Sequence, residues 1–80
     1  MAYTVFIDKE LAEDVVKYTS QKTYRELSKN YLELYPDHKM SPSKLWRIAN
    51  RKTIPSAVEV ANLSNVMGTD IRKYFRIFAF

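Results

Sequence analysis

The chain has 80 residues, which is enough for one small domain and too few for two. Its 13 Lys and Arg residues outnumber its 9 Asp and Glu residues, and 46% of the residues are hydrophobic, enough for a packed core. Without cysteine, disulfides, thiol catalysis and cysteine-ligated metals are excluded. A single histidine and a single glycine argue against His-rich metal sites and Gly-rich phosphate loops. The composition predicts a basic binding domain with no enzymatic activity, no cofactor and no metal.

No apolar run approaches the roughly 20 residues that a membrane-spanning helix needs. The apolar N-terminus is followed closely by Asp8 and Glu10, which is not typical of a signal peptide. We therefore expect a cytoplasmic protein with no membrane partner.

The charge is unevenly distributed along the chain. Residues 1–20 carry a local charge of −2, whereas residues 38–58 and 71–80 contain cations and no acid. A solvated surface is the ordinary interpretation of a charge run, but an acid-free run inside a folded segment raises the local potential where a phosphate backbone binds. The cations of the segment 38–58 are Lys39, Lys44, Arg47, Arg51 and Lys52.

The first seven residues are apolar and β-prone, and they predict a short strand or an ordered arm, because periodicity does not separate the two. The rest predicts five short helices with apolar residues at helical spacing. Helix starts are indicated by Asp8 as an N-cap, by a capping box at Thr23–Glu26 and by Ser41–Pro42, and Gly68 is a predicted left-handed C-cap. The predicted helices cover about 8–19, 23–35, 42–52, 56–67 and 69–78.

The segment of about 23–53 is typical of a helix-turn-helix motif. A capped helix leads through a polar turn into a short helix, about 42–52, that is apolar on one face and basic on another. Free amides at an acid-free helix N-terminus attract phosphate, and short or polar side chains on the outer face reach base edges in the major groove. The sequence thus predicts an all-α fold, a compact bundle of about five short helices containing a helix-turn-helix, in one domain spanning 1–80.

A series of residues in the second half of the chain follows a known pattern. Its members are Ser41, Ser43, Leu45, Arg47, Ile48, Asn50, Lys52 and Pro55, then the apolar block 58–67, Gly68 and Tyr74–Phe75, with Glu26–Ser28 upstream. In order and spacing, residues 8–75 resemble the lambda-repressor-like (Cro/cI-type, xenobiotic-response-element-type) helix-turn-helix family. The chain departs from this pattern between Ser28 and Met40, where the interval is longer and has no glycine, and at Arg51, where the family has glycine.

The resemblance implies which residues contact DNA. Pro42, lacking an amide donor, offers apolar contact, Ser43 hydrogen-bonds a base edge, and Lys44 and Arg47 are candidate guanine readers. The implied base-reading residues are Pro42, Ser43, Lys44 and Arg47. The implied phosphate-binding residues, which position the protein without reading sequence, are Lys22, Thr23, Tyr24, Asn50, Arg51 and Lys52.

Some residues fall outside this pattern. We expect Trp46 to pack against the preceding helix, the alternative being exposure at an interface, and we expect His38 to be a turn residue. Three aromatic residues near the end exceed what one edge helix buries, so they fold back with residues 1–7 or form a patch for a partner protein. These residues are Phe75, Phe78 and Phe80.

The predicted function is that of a sequence-specific DNA-binding transcriptional regulator that places helix 42–52 in the major groove of an operator. The resemblance implies a phage or mobile-element repressor or a Cro-like switch, in a bacterium or a phage-infected cell. A homodimer is expected, because such small domains bind twofold sites. The alternative is a protein-binding module on the same fold, such as an antirepressor or an inhibitor.

Overall fold

The architecture comes from a computed structural model that describes residues 1–79. Four α-helices carry most of the chain, and two short strands lie at its ends. The elements in chain order are β1 (Ala2–Phe6), α1 (Asp8–Gln21), α2 (Tyr24–Leu34), α3 (Pro42–Ala49), α4 (Ala57–Met67), a 3₁₀ turn (Ile71–Tyr74) and β2 (Phe75–Ala79). Within the described residues, none of these helices combines the length and apolar character that crossing a bilayer requires.

All four helices contribute to one hydrophobic core. Each helix presents apolar residues three or four positions apart, so that one stripe faces inward, and full burial of a large aliphatic or aromatic side chain contributes about 1.5–3 kcal/mol. The aromatic ring of Tyr74, from the 3₁₀ turn, completes this core. The buried residues are Leu11, Val15, Leu27, Tyr31, Met40, Leu45, Ile48, Ala49, Val60, Leu63 and Tyr74.

The helix starts at Thr23 and Ser41 are confirmed. The Thr23 hydroxyl accepts a hydrogen bond from the Glu26 amide at 3.1 Å, and the Ser41 hydroxyl accepts one from the Lys44 amide at 3.1 Å. Pro42 occupies the first turn of α3, where its missing amide costs nothing. Each such cap contributes about 1 kcal/mol to helix stability.

Of the other predicted helix ends, the N-cap at Asp8 needs correction. Asp8 is the first helical residue of α1 rather than its N-cap, which is Ile7, and no side chain caps this end. A reciprocal capping box occurs at Ser56 and Glu59, at the start of α4. Gly68 ends α4 with φ of 70°, the left-handed conformation expected of it.

The fold is mostly helical, as predicted, but the predicted fifth helix, about 69–78, is wrong. Only Ile71–Tyr74 is helical, as a 3₁₀ turn that Asp70 caps, and Phe75–Ala79 forms β2. The segment after the turn is rich in aromatic and β-branched residues, and β1 offers it a hydrogen-bonding partner that local spacing does not reveal. Of the two alternatives for residues 1–7, a short strand or an ordered arm, the structure shows the strand, because β1 pairs antiparallel with β2.

The two-stranded sheet pairs both ends of the chain. Its register places Ala2 opposite Ala79 and Phe6 opposite Phe75. The Ile7 amide donates to the Tyr74 carbonyl at 2.7 Å, which joins the base of the sheet to the core. Most sheet residues are exposed on both faces, so the sheet extends from the helices as a ribbon.

Candidate nucleic-acid interface

The orientation of α3 is determined by its buried face. Leu45, Ile48 and Ala49 face the core, and α3 packs against α1 and α2. With about 3.6 residues per turn, the opposite side of the helix faces solvent. We call this side the outward face of α3, and it consists of the exposed residues Ser43, Trp46, Arg47 and Asn50.

The N-terminal end of α3 is suited to an anion. Pro42 and Ser43 are exposed, and the first turn contains no acidic residue. Backbone amides and the helix dipole give this end a partial positive charge. The base-edge candidates Pro42 and Ser43 therefore lie where the resemblance requires them to lie, at the exposed start of the helix.

Lys44 does not lie on the outward face. Its side chain is turned toward α4, where its Nζ forms an ion pair with a carboxylate oxygen of Glu59. Burial alone would raise the pKa of Glu59, but hydrogen bonds from Lys44 and from the Ser56 amide outweigh it and hold that pKa below its ordinary value. Lys44 is thus bound by an ionised partner, and no signal within α3 indicates this pairing.

Arg51 is also paired. Its guanidinium contacts the carboxylate of Asp8, with an Nη2–Oδ1 distance of 3.2 Å, across the ends of α3 and α1. Arg51 has φ of 57°, in the left-handed region that favours glycine. This backbone conformation occurs at the position where the resembled family has glycine.

Arg47 and Lys52 remain available for an anion. Neither forms an ion pair with any residue within 1–79. The Lys52 amide donates to the Arg47 carbonyl at 2.7 Å, which joins the two residues through their backbones at the end of α3. Asn50, which is also exposed, donates from its side chain to the Trp46 carbonyl at 2.8 Å.

The three remaining phosphate candidates form a separate group at the junction of α1 and α2. Lys22 is exposed, the Thr23 hydroxyl caps α2, and Tyr24 is half-buried against the core. In the described part of the chain, no hydrogen bond or ion pair joins these residues to α3. The structure therefore places Ser43, Arg47 and Asn50 on the outward face of α3, whereas Lys22, Thr23 and Tyr24 lie at the junction of α1 and α2.

The connection between α2 and α3 is held by a buried hydrogen bond. The Ser28 hydroxyl donates to the Met40 carbonyl at 2.5 Å, and Met40 itself is buried. His38 lies in the turn as expected, with its ring near those of Tyr31 and Tyr35. These contacts set the position of α3 relative to α2 without a turn glycine.

Trp46 is not packed as expected. It is 48% exposed on the outward face of α3, one turn from Ser43 and from Asn50, and is absent from the hydrophobic core. The aromatic residues near the C-terminal end differ in burial. Phe75 is half-buried against the core, whereas Phe78 is 45% exposed. Phe80 lies outside the described residues.

Comparison with known proteins adds no relative. No protein-family model, no curated protein and no solved structure matches the chain. The evidence for function is therefore the geometry of the outward face of α3.

Proposed function

We propose that the chain is a sequence-specific DNA-binding transcriptional regulator that uses α2 and α3 as a helix-turn-helix. One observation carries the proposal: the outward face of α3 is exposed and acid-free, and Arg47 on it and Lys52 after it form no ion pair within residues 1–79. The opposite face of α3 is anchored in the core, so the helix offers a rigid surface. A single α-helix is about 10–12 Å wide, which matches the width of the major groove.

Each residue of the outward face has a chemically suitable role. Ser43 donates to and accepts from base edges, and we assign the same role to Asn50, in place of the phosphate contact that the resemblance implies, because it lies on the outward face. Arg47 reads guanine through a bidentate hydrogen bond. Lys52 contacts phosphate, which adds affinity for any sequence. Lys44 joins them only if it leaves Glu59, which distinguishes its role from that of Arg47.

Repression is the simplest mode of action for such a small protein. A bound copy occludes a promoter that overlaps its operator, and control then comes from its concentration or from a partner. The resemblance described above supports a phage or mobile-element repressor or a Cro-like switch. The proposed DNA-bound form is a homodimer, because two copies give two α3 helices for two half-sites.

Selection from a random duplex library at two salt concentrations tests the proposal. We expect a palindromic motif to be enriched, with retention that falls steeply as salt rises. The matched control is the double variant Arg47→Ala and Lys52→Ala, in which only exposed side chains are removed. Enrichment of the same motif by this variant, or no retention of DNA at low salt by the natural chain, would refute the proposal.

The sheet favours a second candidate function, that of a protein-binding module. Large apolar side chains are exposed on both of its faces, with Ile77 reaching 75% exposure. Exposed apolar patches of this kind mark protein contacts. The exposed large apolar residues of the two strands are Tyr3, Val5, Ile77 and Phe78.

Sedimentation equilibrium distinguishes a homodimer formed through the sheet from a sheet that binds a different protein. A second copy docking there gives a dimer that Ile77→Asp and Phe78→Asp convert to monomer. A chain that is monomeric at high micromolar concentration and retains no DNA instead fits the protein-binding module. Affinity capture with the natural chain, using the same two variants as controls, then identifies its partner.

A further inference from the structure

The only tryptophan of the chain lies in an unusual environment. Trp46 is 48% exposed although tryptophan is a large, mostly apolar side chain. Its neighbours on the outward face of α3, one turn before and after it, are the polar residues Ser43 and Asn50. Since Leu45 and Ile48 already anchor α3 in the core, the indole is not needed to attach this helix.

The surroundings of Trp46 indicate the chemistry of its ligand. Arg47 follows Trp46 directly in the chain and Lys52 lies just beyond the end of α3, so the segment that carries the indole has a positive charge. No acidic residue occurs between residues 38 and 58. An apolar side chain in a hydrogen-bonding and cationic setting is complementary to a ligand of matching composition. Such a ligand presents an apolar group, polar edges beside it and a polyanionic border.

The major groove of DNA has this composition. The thymine C5-methyl group is its apolar feature, donors and acceptors of the base edges surround it, and phosphates border it. We infer that Trp46 is a specificity-determining residue that places its indole against a thymine methyl group, between the base contacts of Ser43 and Asn50. This inference rests on the proposed function and names the base that the centre of α3 recognises.

A protein ligand fits this face less well. Protein docking surfaces have apolar centres, whereas Trp46 is the one large apolar side chain that α3 (Pro42–Ala49) exposes. The apolar surface that suits a protein lies on the sheet, where Ile77 and Phe78 are exposed. The two surfaces therefore differ in the kind of partner that they favour.

Intrinsic fluorescence tests the position of the indole in the natural chain. Trp46 is the single tryptophan, so its emission reports on this face alone. We titrate the chain with the duplex obtained by selection and measure acrylamide quenching, while the anisotropy of a dye on the DNA reports binding independently. Binding with strong protection of Trp46 from acrylamide supports the inference, and binding with unchanged quenching overturns it.

Removal of the methyl group tests the contact itself. Replacing the thymines of the duplex with deoxyuridine deletes only the C5-methyl groups, and we expect it to weaken binding of the natural chain by roughly fivefold or more. Trp46→Ala should cause a similar loss on the thymine duplex and should be insensitive to deoxyuridine. Equal sensitivity of both proteins to deoxyuridine would overturn the inference.

Two controls distinguish loss of the methyl contact from a general loss of apolar surface and from misfolding. Val16→Ala removes another exposed apolar side chain, on α1, and should bind both duplexes like the natural chain. Circular dichroism confirms that Trp46→Ala is folded, as expected for a side chain outside the core. If the natural chain binds no duplex in the anisotropy measurement, the proposed function fails and the inference with it. Binding without protection of Trp46 refutes the inference alone.

Discussion

Lys44 and Glu59 form an ion pair that joins the first turn of α3 to the first turn of α4. Glu59 also accepts a hydrogen bond from the Ser56 amide at 2.9 Å, so one carboxylate caps α4 and holds a lysine of α3. The pair removes one cation from the surface that the composition alone assigns to DNA. Breaking this pair should therefore change how the protein binds DNA.

Glu59→Gln should strengthen binding to DNA. The substitution keeps an acceptor for the Ser56 amide but removes the negative charge, which frees Lys44 to contact phosphate. One additional phosphate contact makes the slope of log Kd against log salt steeper by about one. Fluorescence anisotropy across a salt series measures this slope, and an unchanged slope would show that Lys44 remains remote from the DNA.

Arg47→Ala and Lys52→Ala should differ in their effects. Loss of Arg47 should cost about 1–3 kcal/mol on the selected duplex and relax base preference at one position. Loss of Lys52 should weaken binding to every duplex about equally and reduce the salt slope by about one. Competition between selected and scrambled duplexes distinguishes the two, and an equal loss of Arg47→Ala on both duplexes would contradict its reading role.

Backbone conformation at Arg51 should be visible in stability. Its φ of 57° disfavours any side chain with a Cβ atom. Arg51→Gly and Arg51→Ala both remove the ion pair with Asp8, so the difference between them isolates the backbone term. We expect the glycine variant to be more stable than the alanine variant by about 1 kcal/mol, as measured by urea denaturation. Equal midpoints and slopes would be inconsistent with a left-handed residue here.

Acid should destabilise the fold through Asp14. Its carboxylate accepts hydrogen bonds from the Tyr74 hydroxyl at 2.7 Å and from Lys73 at 3.1 Å. Burial works to raise the pKa of Asp14, but these bonds outweigh it and hold the pKa below the ordinary 3.8. A carboxyl whose folded-state pKa is depressed contributes stability above its unfolded pKa, and that contribution is lost as pH falls through the folded value.

The measurement for Asp14 is the free energy of unfolding from urea titrations between neutral pH and pH values below 3.8. The natural chain should lose stability across the acidic end of this range. Asp14→Asn should be less stable at neutral pH and should show a shallower loss in acid. Parallel curves for the two proteins would rule out Asp14 as a source of the pH dependence.

Local signals predicted the helices well. Thr23, Ser41 and Gly68 act within one turn of their own helix, so their effects can be read from neighbouring residues. The C-terminal strand was missed because its partner, β1, lies at the other end of the chain. A pairing between distant segments overrides local spacing, and spacing alone does not reveal it.

The candidate site could be predicted only in part, because some of its side chains pair with residues that are distant in the chain. The acid-free segment and the start of α3 identified Ser43 and Arg47, which the structure leaves exposed. Lys44 pairs with Glu59, which belongs to another helix, so spacing within α3 does not reveal where its side chain lies. Trp46 was expected to be packed because it is large and apolar, but the core is already filled at α3 by shorter side chains.

The pairing of β1 with β2 makes the two ends of the chain mutually dependent. Ala2 lies opposite Ala79, so shortening the chain at either end removes the hydrogen-bonding partner of the other end. Deletion of β1 would uncover β2, whose phenylalanine and isoleucine side chains then belong to an unpaired strand prone to association. Truncations at opposite ends of the chain should therefore produce the same defect, and a peptide with the sequence of the missing strand should relieve it.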